Sequence, residues 1–366
     1  MKHKILKQFF NTLYHFFSLF YSNKGKKVVF YSNRSETLSG NLTNLMKEFE
    51  KETDYEIKVK SFNFKRSIVG RFIYFFQSVQ SMYELATADL FIIDDYFLPV
   101  YYIENKQERN KVVQVWHAIG HLKKYGLSIE KNRQSTIKHH SNYDFVVANA
   151  PGDVKAILSS FDVTNDKVHV LGAPRLDDLI IGEQKKINKK NIFMYAPTYR
   201  DASNEDKVYS YINQLIEIFI TRVDQENNYL YLSLHPYLKI EKINLRRAKN
   251  IEIFKDGNKS SKLLKEVDVL ITDYSSILLD YAYFEKPILI YAPDYQEYIQ
   301  NTGFFVDYKE YIGTTFYEKA EDVIEALLDF EQIELDYVLK LKEDNFYYKD
   351  GRNSARVFQA LNEWIK

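Results

Sequence analysis

A chain of 366 residues is longer than one hydrophobic core usually grows, so two domains of roughly 150 to 180 residues each are expected. Its 50 basic residues balance its 50 acidic ones, which leaves no global field to recruit nucleic acid. The absence of cysteine excludes a disulfide scaffold and thiolate metal sites and is compatible with a reducing compartment.

In chain order, the first segment is an amphipathic helix. Ile5, Leu6, Phe9, Phe10, Leu13, Phe16, Phe17 and Phe20 recur at helical spacing, with Lys4, Lys7, Gln8, Asn11 and His15 on the other side. Polar residues interrupt it too often for a hydrocarbon span of about 20 apolar residues, and no small-residue cleavage site follows. Lys2, Lys4, Lys7, Lys24, Lys26 and Lys27 all precede the first acid, Glu36. A basic helix with an aromatic face suits an anionic membrane surface, so residues 1–24 are expected to associate with a membrane and to be removable without unfolding. Packing on its own domain is the alternative.

From Val28 onward strands and helices alternate. VVFYS (Val28–Ser32), EIKVKSF, DLFIIDD, KVVQVW, DFVVANA and VHVLG are short apolar runs, with helices over Ser67–Ala86 and Gly152–Phe161 between them. This is the pattern of a parallel sheet covered on both faces. The polar run Ile181–Asn191 breaks it and is read as a linker. The scheme then repeats with IFMYAPT, a helix near Val208–Val223, YLYLSLHP, IEIF, VDVLIT and ILIYAP. The expected fold is therefore α/β, with two Rossmann-like doubly wound domains: 25–180, and 192–366 with its last helix able to return to the first domain.

Ligands in such sheets bind beyond the carboxyl ends of the strands, and the chemically suspicious residues fall there. His117 follows KVVQVW, Thr198 and Arg200 follow IFMYA, His235 follows YLYLSL, and Thr272-Asp273-Tyr274-Ser275-Ser276 follows VDVLI. Two histidines on strand ends in opposite domains are expected to face a common cleft. Ser275 or Ser276 suits a cap for the helix Ile277–Phe284, and the same serines and first-turn N–H groups suit phosphate oxygens. Asp280, one turn on, is placed either on ribose hydroxyls or on a solvated surface. No Walker lysine motif or dinucleotide fingerprint occurs. Nor does any carboxylate–histidine cluster have metal spacing, so no bound metal and no cofactor are expected.

The ordered set WHAIGHLKKYG, LGAPRLD, YAPTYRD, SLHP, TDYSSILLDYAYFEKPILIYAPDYQEY and DGRNSAR resembles the CDP-glycerol glycerophosphotransferase family of teichoic acid and capsule synthesis, over roughly Lys111 to Arg356. The resemblance implies a GT-B arrangement of the two domains in a peripheral enzyme on the cytoplasmic face of the membrane. It implies transfer of glycerol phosphate from CDP-glycerol to a hydroxyl of a polyprenyl-diphosphate-linked acceptor, with release of CMP. CDP-ribitol as donor, and a nucleotide-sugar glycosyltransferase, are the alternatives. Ala118-Ile119-Gly120 after His117 is similar to the priming members of the family, whereas His121 departs from its pattern. In these terms His117 is the general base, a role worth about 10²- to 10⁴-fold in rate. His235 stabilises the diphosphate or leaving CMP, and Arg200, Thr272, Ser275, Ser276 and Asp280 bind the donor.

Overall fold

The computed structural model describes residues 2–22, 26–62, 67–135, 137–182, 190–200 and 204–365. The chain divides into two compact units, Met1–Ile180 with Phe346–Lys366, and Ile181–Asn345. Most of the expected linker, 183–189, lies outside the described residues.

The first unit holds six parallel strands: β1 (Lys26–Ser32), β2 (Tyr55–Ser61), β3 (Leu90–Ile93), β4 (Lys111–Gln114), β5 (Phe145–Ala148) and β6 (Val168–Val170). They are ordered β2-β1-β3-β4-β5-β6. Successive side chains on a strand point to opposite faces, and both faces are buried. Val29, Tyr31, Phe91 and Ile93 join one core with Phe10, Tyr14, Met82 and Leu85. Val28, Phe30, Leu90 and Ile92 join the other with Leu42, Phe49, Val357 and Phe358. The first core therefore lies under the helices Lys2–Ser18 and Ile68–Thr87, and the second under Asn41–Phe49 and the last helix, Asn353–Trp364.

That last helix is tied to the first unit by polar contacts as well. Asp177 accepts from the backbone N–H groups of Asn353 at 2.8 Å and Ser354 at 2.7 Å, and Arg356 donates to the Leu171 carbonyl at 3.0 Å. Gly172, at φ +85°, packs so closely here that a Cβ would collide with the Asn353 side chain. Only glycine fits both the left-handed backbone and the contact. The LGAPRLD and DGRNSAR motifs thus form one clasp.

The second unit repeats the scheme with β7 (Asn191–Ala196), β8 (Asn228–Ser233), β9 (Ile251–Phe254), β10 (Val269–Thr272), β11 (Ile288–Tyr291) and β12 (Phe316–Tyr317). These are also parallel, in the order β12-β11-β10-β7-β8-β9. Each sheet reverses its direction of strand addition once, between β1 and β3 in the first unit and between β7 and β10 in the second. The crevice beyond such a reversal is where an open α/β sheet binds its ligands.

The N-terminal helix corrects the expectation that it is a separate, removable element. Phe10 and Tyr14 are buried in the first core, and the Tyr14 hydroxyl donates to Asn110 Oδ1 at 3.1 Å. Asn110 in turn donates to the carbonyls of Leu85 at 2.8 Å and Ala88 at 2.9 Å. Burying phenylalanine in a packed core and then truncating it costs about 3 to 5 kcal/mol. Phe10→Ala is therefore expected to lower the free energy of urea unfolding by about 3 kcal/mol, and removal of residues 1–26 to cost more. An unchanged urea midpoint in both would return the helix to an appended role.

Candidate active site

In the first unit, β4 ends at Gln114 and the chain turns sharply. Trp116 adopts φ +40°, a conformation that costs a non-glycine residue about 1 to 3 kcal/mol and persists only when surrounding contacts impose it. Those contacts are present. The Trp116 N–H donates to Gln114 Oε1 at 2.8 Å, its carbonyl accepts from Asn41 Nδ2, and its ring stacks on Tyr125 with centroids 5.0 Å apart. Asn41 also donates to the Val115 carbonyl at 3.1 Å and accepts from the Arg175 N–H at 2.8 Å. The turn delivers His117 to the carboxyl end of the sheet beside Asp94 and Asp95, the residues that follow β3.

The imidazole of His117 has a fixed sense. Its Nδ1 lies 3.1 Å from the Asp94 carbonyl oxygen. A carbonyl can only accept, so Nδ1 carries the proton and Nε2 presents a lone pair. The side chain is 28% exposed. Burial and then the Arg34 guanidinium push its pKa down to about 4, against the opposing pull of Asp95. His117 is thus a neutral base throughout the physiological range. Asp94 is buried, accepts from Ser32 Oγ at 3.1 Å, and has its pKa pushed up by burial to about 6 despite Arg34, whose Nη1 is 3.9 Å away. His121 is engaged with Asp153, at 3.2 Å.

In the second unit, the segments after β7 and β10 meet in a buried ionic network. Arg200 is 6% exposed. It donates from Nε to Asp294 Oδ2 at 2.8 Å, from Nη2 to Asp273 Oδ2 at 2.9 Å and Asp294 Oδ1 at 3.1 Å, and from Nη1 to the Thr198 carbonyl at 2.7 Å. Its guanidinium also lies 4.5 Å from the Tyr298 ring centroid. Burial works against this charge, but the two carboxylates prevail and hold its pKa above the usual range. Asp273 further accepts from the Thr198 N–H at 2.8 Å, and its carbonyl accepts from the Tyr308 hydroxyl at 2.6 Å. The network welds the YAPTYRD, TDYSS and YAPD motifs together.

Three expected donor-binding residues are engaged by the protein itself. Arg200 directs four of its five donors into the protein. The hydroxyl of Thr272, wholly buried, donates to the Ala196 carbonyl at 2.7 Å across the β7–β10 pair. Asp280 is 5% exposed within the short helix Ile277–Ala282 and engaged with neighbours, so it is not a solvated acid. Ser275 is half-buried and Ser276 exposed. Ser276 makes no side-chain cap bond, and the Ile277 N–H lies 3.5 Å from Ser275 Oγ, the outer limit of a hydrogen bond. Capping therefore does not occupy these hydroxyls. Replacing both serines with Ala is expected to leave the melting temperature within about 1 °C, given the small effect of uncoupled surface changes. It should weaken CDP binding at least about ten-fold, since a hydrogen bond to a charged phosphate is worth about 1.5 to 3 kcal/mol. Unchanged affinity by calorimetry would reduce the pair to spacers.

His235, just beyond β8, is half-buried and stacks on Tyr199, centroids 4.8 Å apart. Its Nδ1 accepts from the Tyr237 N–H at 3.3 Å. The proton is then on Nε2, so His235 presents a donor where His117 presents an acceptor. Among the described residues no group of three or more His, Cys, Asp or Glu side chains could hold a metal ion. Sequence reasoning passed over Arg34, Asn41, Asp94, Asp95 and Asp294. For Asp94 and Asp95 the signal was present: DLFIIDD sets two acids at a strand's carboxyl end.

Two parallel-sheet units with strand-end sites define a GT-B-like α/β fold. It is shared with the solved structure of a variant of the wall teichoic acid polymerase TagF, at a TM-score of 0.75 and 19% identity over 97% of this chain and 93% of that one. Residues 13–363 match the model of the CDP-Glycerol:Poly(glycerophosphate) glycerophosphotransferase family, and the chain belongs to that family. It is 23% identical to a teichoic acid ribitol-phosphate primase of Bacillus spizizenii, over 99% of this chain and 97% of the relative. It is 29% identical to a teichoic acid glycerol-phosphate primase of Bacillus subtilis, over 78% and 77%. The chain is a transferase of the teichoic acid type.

Proposed function

We propose that the protein transfers an alditol phosphate, glycerol phosphate in the first instance, from its CDP ester to a hydroxyl of a lipid-linked glycan at the cytoplasmic face of the membrane. The observation that carries this reading is the locked tautomer of His117, whose Nε2 lone pair stands at a sheet's ligand-binding end. Family membership supplies the reaction class.

Phosphoryl transfer is catalysed mainly by positioning and by stabilising charge on the transferring group. The acceptor hydroxyl gives its proton to His117 Nε2 while its oxygen attacks the phosphorus bearing the alditol. The bond from that phosphorus to the bridging oxygen breaks, and CMP leaves with the electron pair. Nε2–H of His235 and the hydroxyls of Ser275 and Ser276 suit the donor's phosphate oxygens. Arg200 acts indirectly, by fixing Asp273 and hence the loop that carries the serines.

A ribitol donor is the second reading, favoured by the near full-length match to a ribitol-phosphate primase. The two are separated by measuring acceptor-dependent CMP release from CDP-glycerol and from CDP-ribitol. Release from one and not the other assigns the donor. Release from neither, with turnover of a UDP-sugar instead, would replace the reading by a glycosyltransferase.

A further inference from the structure

Phosphoryl transfer puts negative charge on the non-bridging oxygens of the group in flight, and a positioned cation is a strong means of stabilising it. Arg200 spends its guanidinium on two aspartates, and His117 is neutral when it acts. The serines and the Nε2–H of His235 offer hydrogen bonds but no fixed cation. Arg34 has the charge and the freedom to supply one.

Arg34 follows β1 and the pair Asp94-Asp95 follows β3, so the three stand beyond the reversal of the first sheet, beside His117 at the end of β4. The backbone that carries Arg34 is fixed on both sides. Its N–H lies 3.4 Å from Ser32 Oγ, Asn33 Nδ2 donates to the Tyr96 carbonyl at 2.7 Å, and the Ser35 carbonyl accepts from Ser61 Oγ at 2.6 Å. The head of the side chain is held more loosely. It is 43% exposed, with Nη1 3.9 Å from Asp94 Oδ2 and Nε 3.7 Å from Asp95 Oδ2. Both distances are too long for hydrogen bonds, and among the described residues the guanidinium makes none. An ion pair of this kind adds little to stability. A guanidinium steadied by two carboxylates, with its five donors still to be satisfied, is prepared for an incoming oxyanion.

Asp95 ties this cation to the base. Its Oδ2 faces Arg34, and its Oδ1 stands 3.9 Å from His117 Nδ1, so guanidinium and imidazole flank one carboxylate. Arg34 is also the charge that pushes the His117 pKa down most, ahead of Arg175, which is half-buried and packed along Gly40. A hydroxyl held by the imidazole must come within about 3 to 3.5 Å of the phosphorus that it attacks. The phosphoryl group is therefore brought to the part of the crevice that Arg34 borders.

We propose that Arg34 is a further catalytic residue, whose guanidinium hydrogen-bonds a non-bridging oxygen of the alditol phosphoryl group during transfer. The acceptor oxygen bonds to phosphorus, CMP departs with the electron pair of the bridging oxygen, and the hydroxyl proton passes to His117. This rests on the reaction in the proposed function and adds the cation that the reaction calls for.

The test is steady-state CMP release at pH 8 from CDP-glycerol and from CDP-ribitol, with a lipid-linked disaccharide as acceptor. At that pH His117 is neutral with or without Arg34, so an effect through its pKa does not enter. Arg34→Ala should lower kcat at least about ten-fold, less than the 10²-fold of a water-excluded donor because the side chain is partly exposed. The acceptor KM and the circular dichroism should be unchanged. Arg34→Lys should recover only part of the loss. Millimolar guanidinium ion should restore turnover to Arg34→Ala and leave the wild type unaffected, a rescue that a merely structural arginine would not show. Should the alanine variant misfold, Arg34→Gln carries the same measurements. An unchanged kcat at pH 8, even with the acidic limb displaced, would overturn the role, as would a rise in acceptor KM alone, which would put Arg34 on the acceptor's diphosphate. Absence of release by the wild type would overturn the proposed function and this role together, whereas equal release by wild type and Arg34→Ala would overturn this role alone.

Discussion

Replacing His117 with Ala will lower turnover at least about 10²-fold, the low end of what a positioned general base contributes. Donor affinity and the unfolding midpoint should change little, because the ring makes one hydrogen bond to the Asp94 carbonyl and is partly exposed. The pH dependence gives an independent check. A base must be unprotonated to act, and burial with Arg34 holds this one's pKa at about 4 rather than near 6.5. Activity limited by the base should therefore stay level as pH falls from 8 to about 5, and decline only as it approaches 4. Replacing Arg34 with Gln removes the cation and should move the acidic limb upward. Near-normal turnover of the alanine variant, or a limb at 6.5 in the wild type, would remove His117 from the base role.

The second large effect is expected at Arg200. Breaking a buried ion pair on one side leaves the other charges uncompensated, at a cost of about 3 to 5 kcal/mol. Arg200→Ala strands both Asp273 and Asp294, so it should lower the stability of the second unit by that order. Arg200→Lys should recover only part of it, since an ammonium cannot reproduce the fork that spans the two carboxylates. Activity should fall with stability in both variants. A protein that kept its unfolding midpoint while losing CDP affinity would instead put Arg200 on the donor's phosphates.

Much of the architecture was legible because buried parallel strands write themselves as short apolar runs, and the strand-end rule then singled out His117 and His235. What escaped the sequence was the state of each side chain. Nothing local to YAPTYRD shows that Arg200 is consumed by an aspartate 94 positions away, or that the Thr272 hydroxyl is spent on the neighbouring strand. Periodicity reports which residues share a helix face, not whether that face is covered. For the N-terminal helix it grouped Phe10 with Phe9 and Phe16, although the fold buries the first and leaves the other two exposed. For Ile68–Thr87 the apolar richness read as sheet cover, whereas half of it points to solvent. The DGRNSAR motif likewise contains residues suited to binding substrate, yet Asn353, Ser354 and Arg356 hold the last helix to the first unit.

The most direct test of the account is mass spectrometry of a lipid-linked disaccharide acceptor after incubation with the protein and a CDP-alditol. The account predicts an acceptor heavier by one or more alditol phosphate groups, an equal number of moles of CMP, and neither product with His117→Ala. CMP formed without any gain of mass on the acceptor, or an acceptor that gains a sugar from a nucleotide sugar instead, would contradict it.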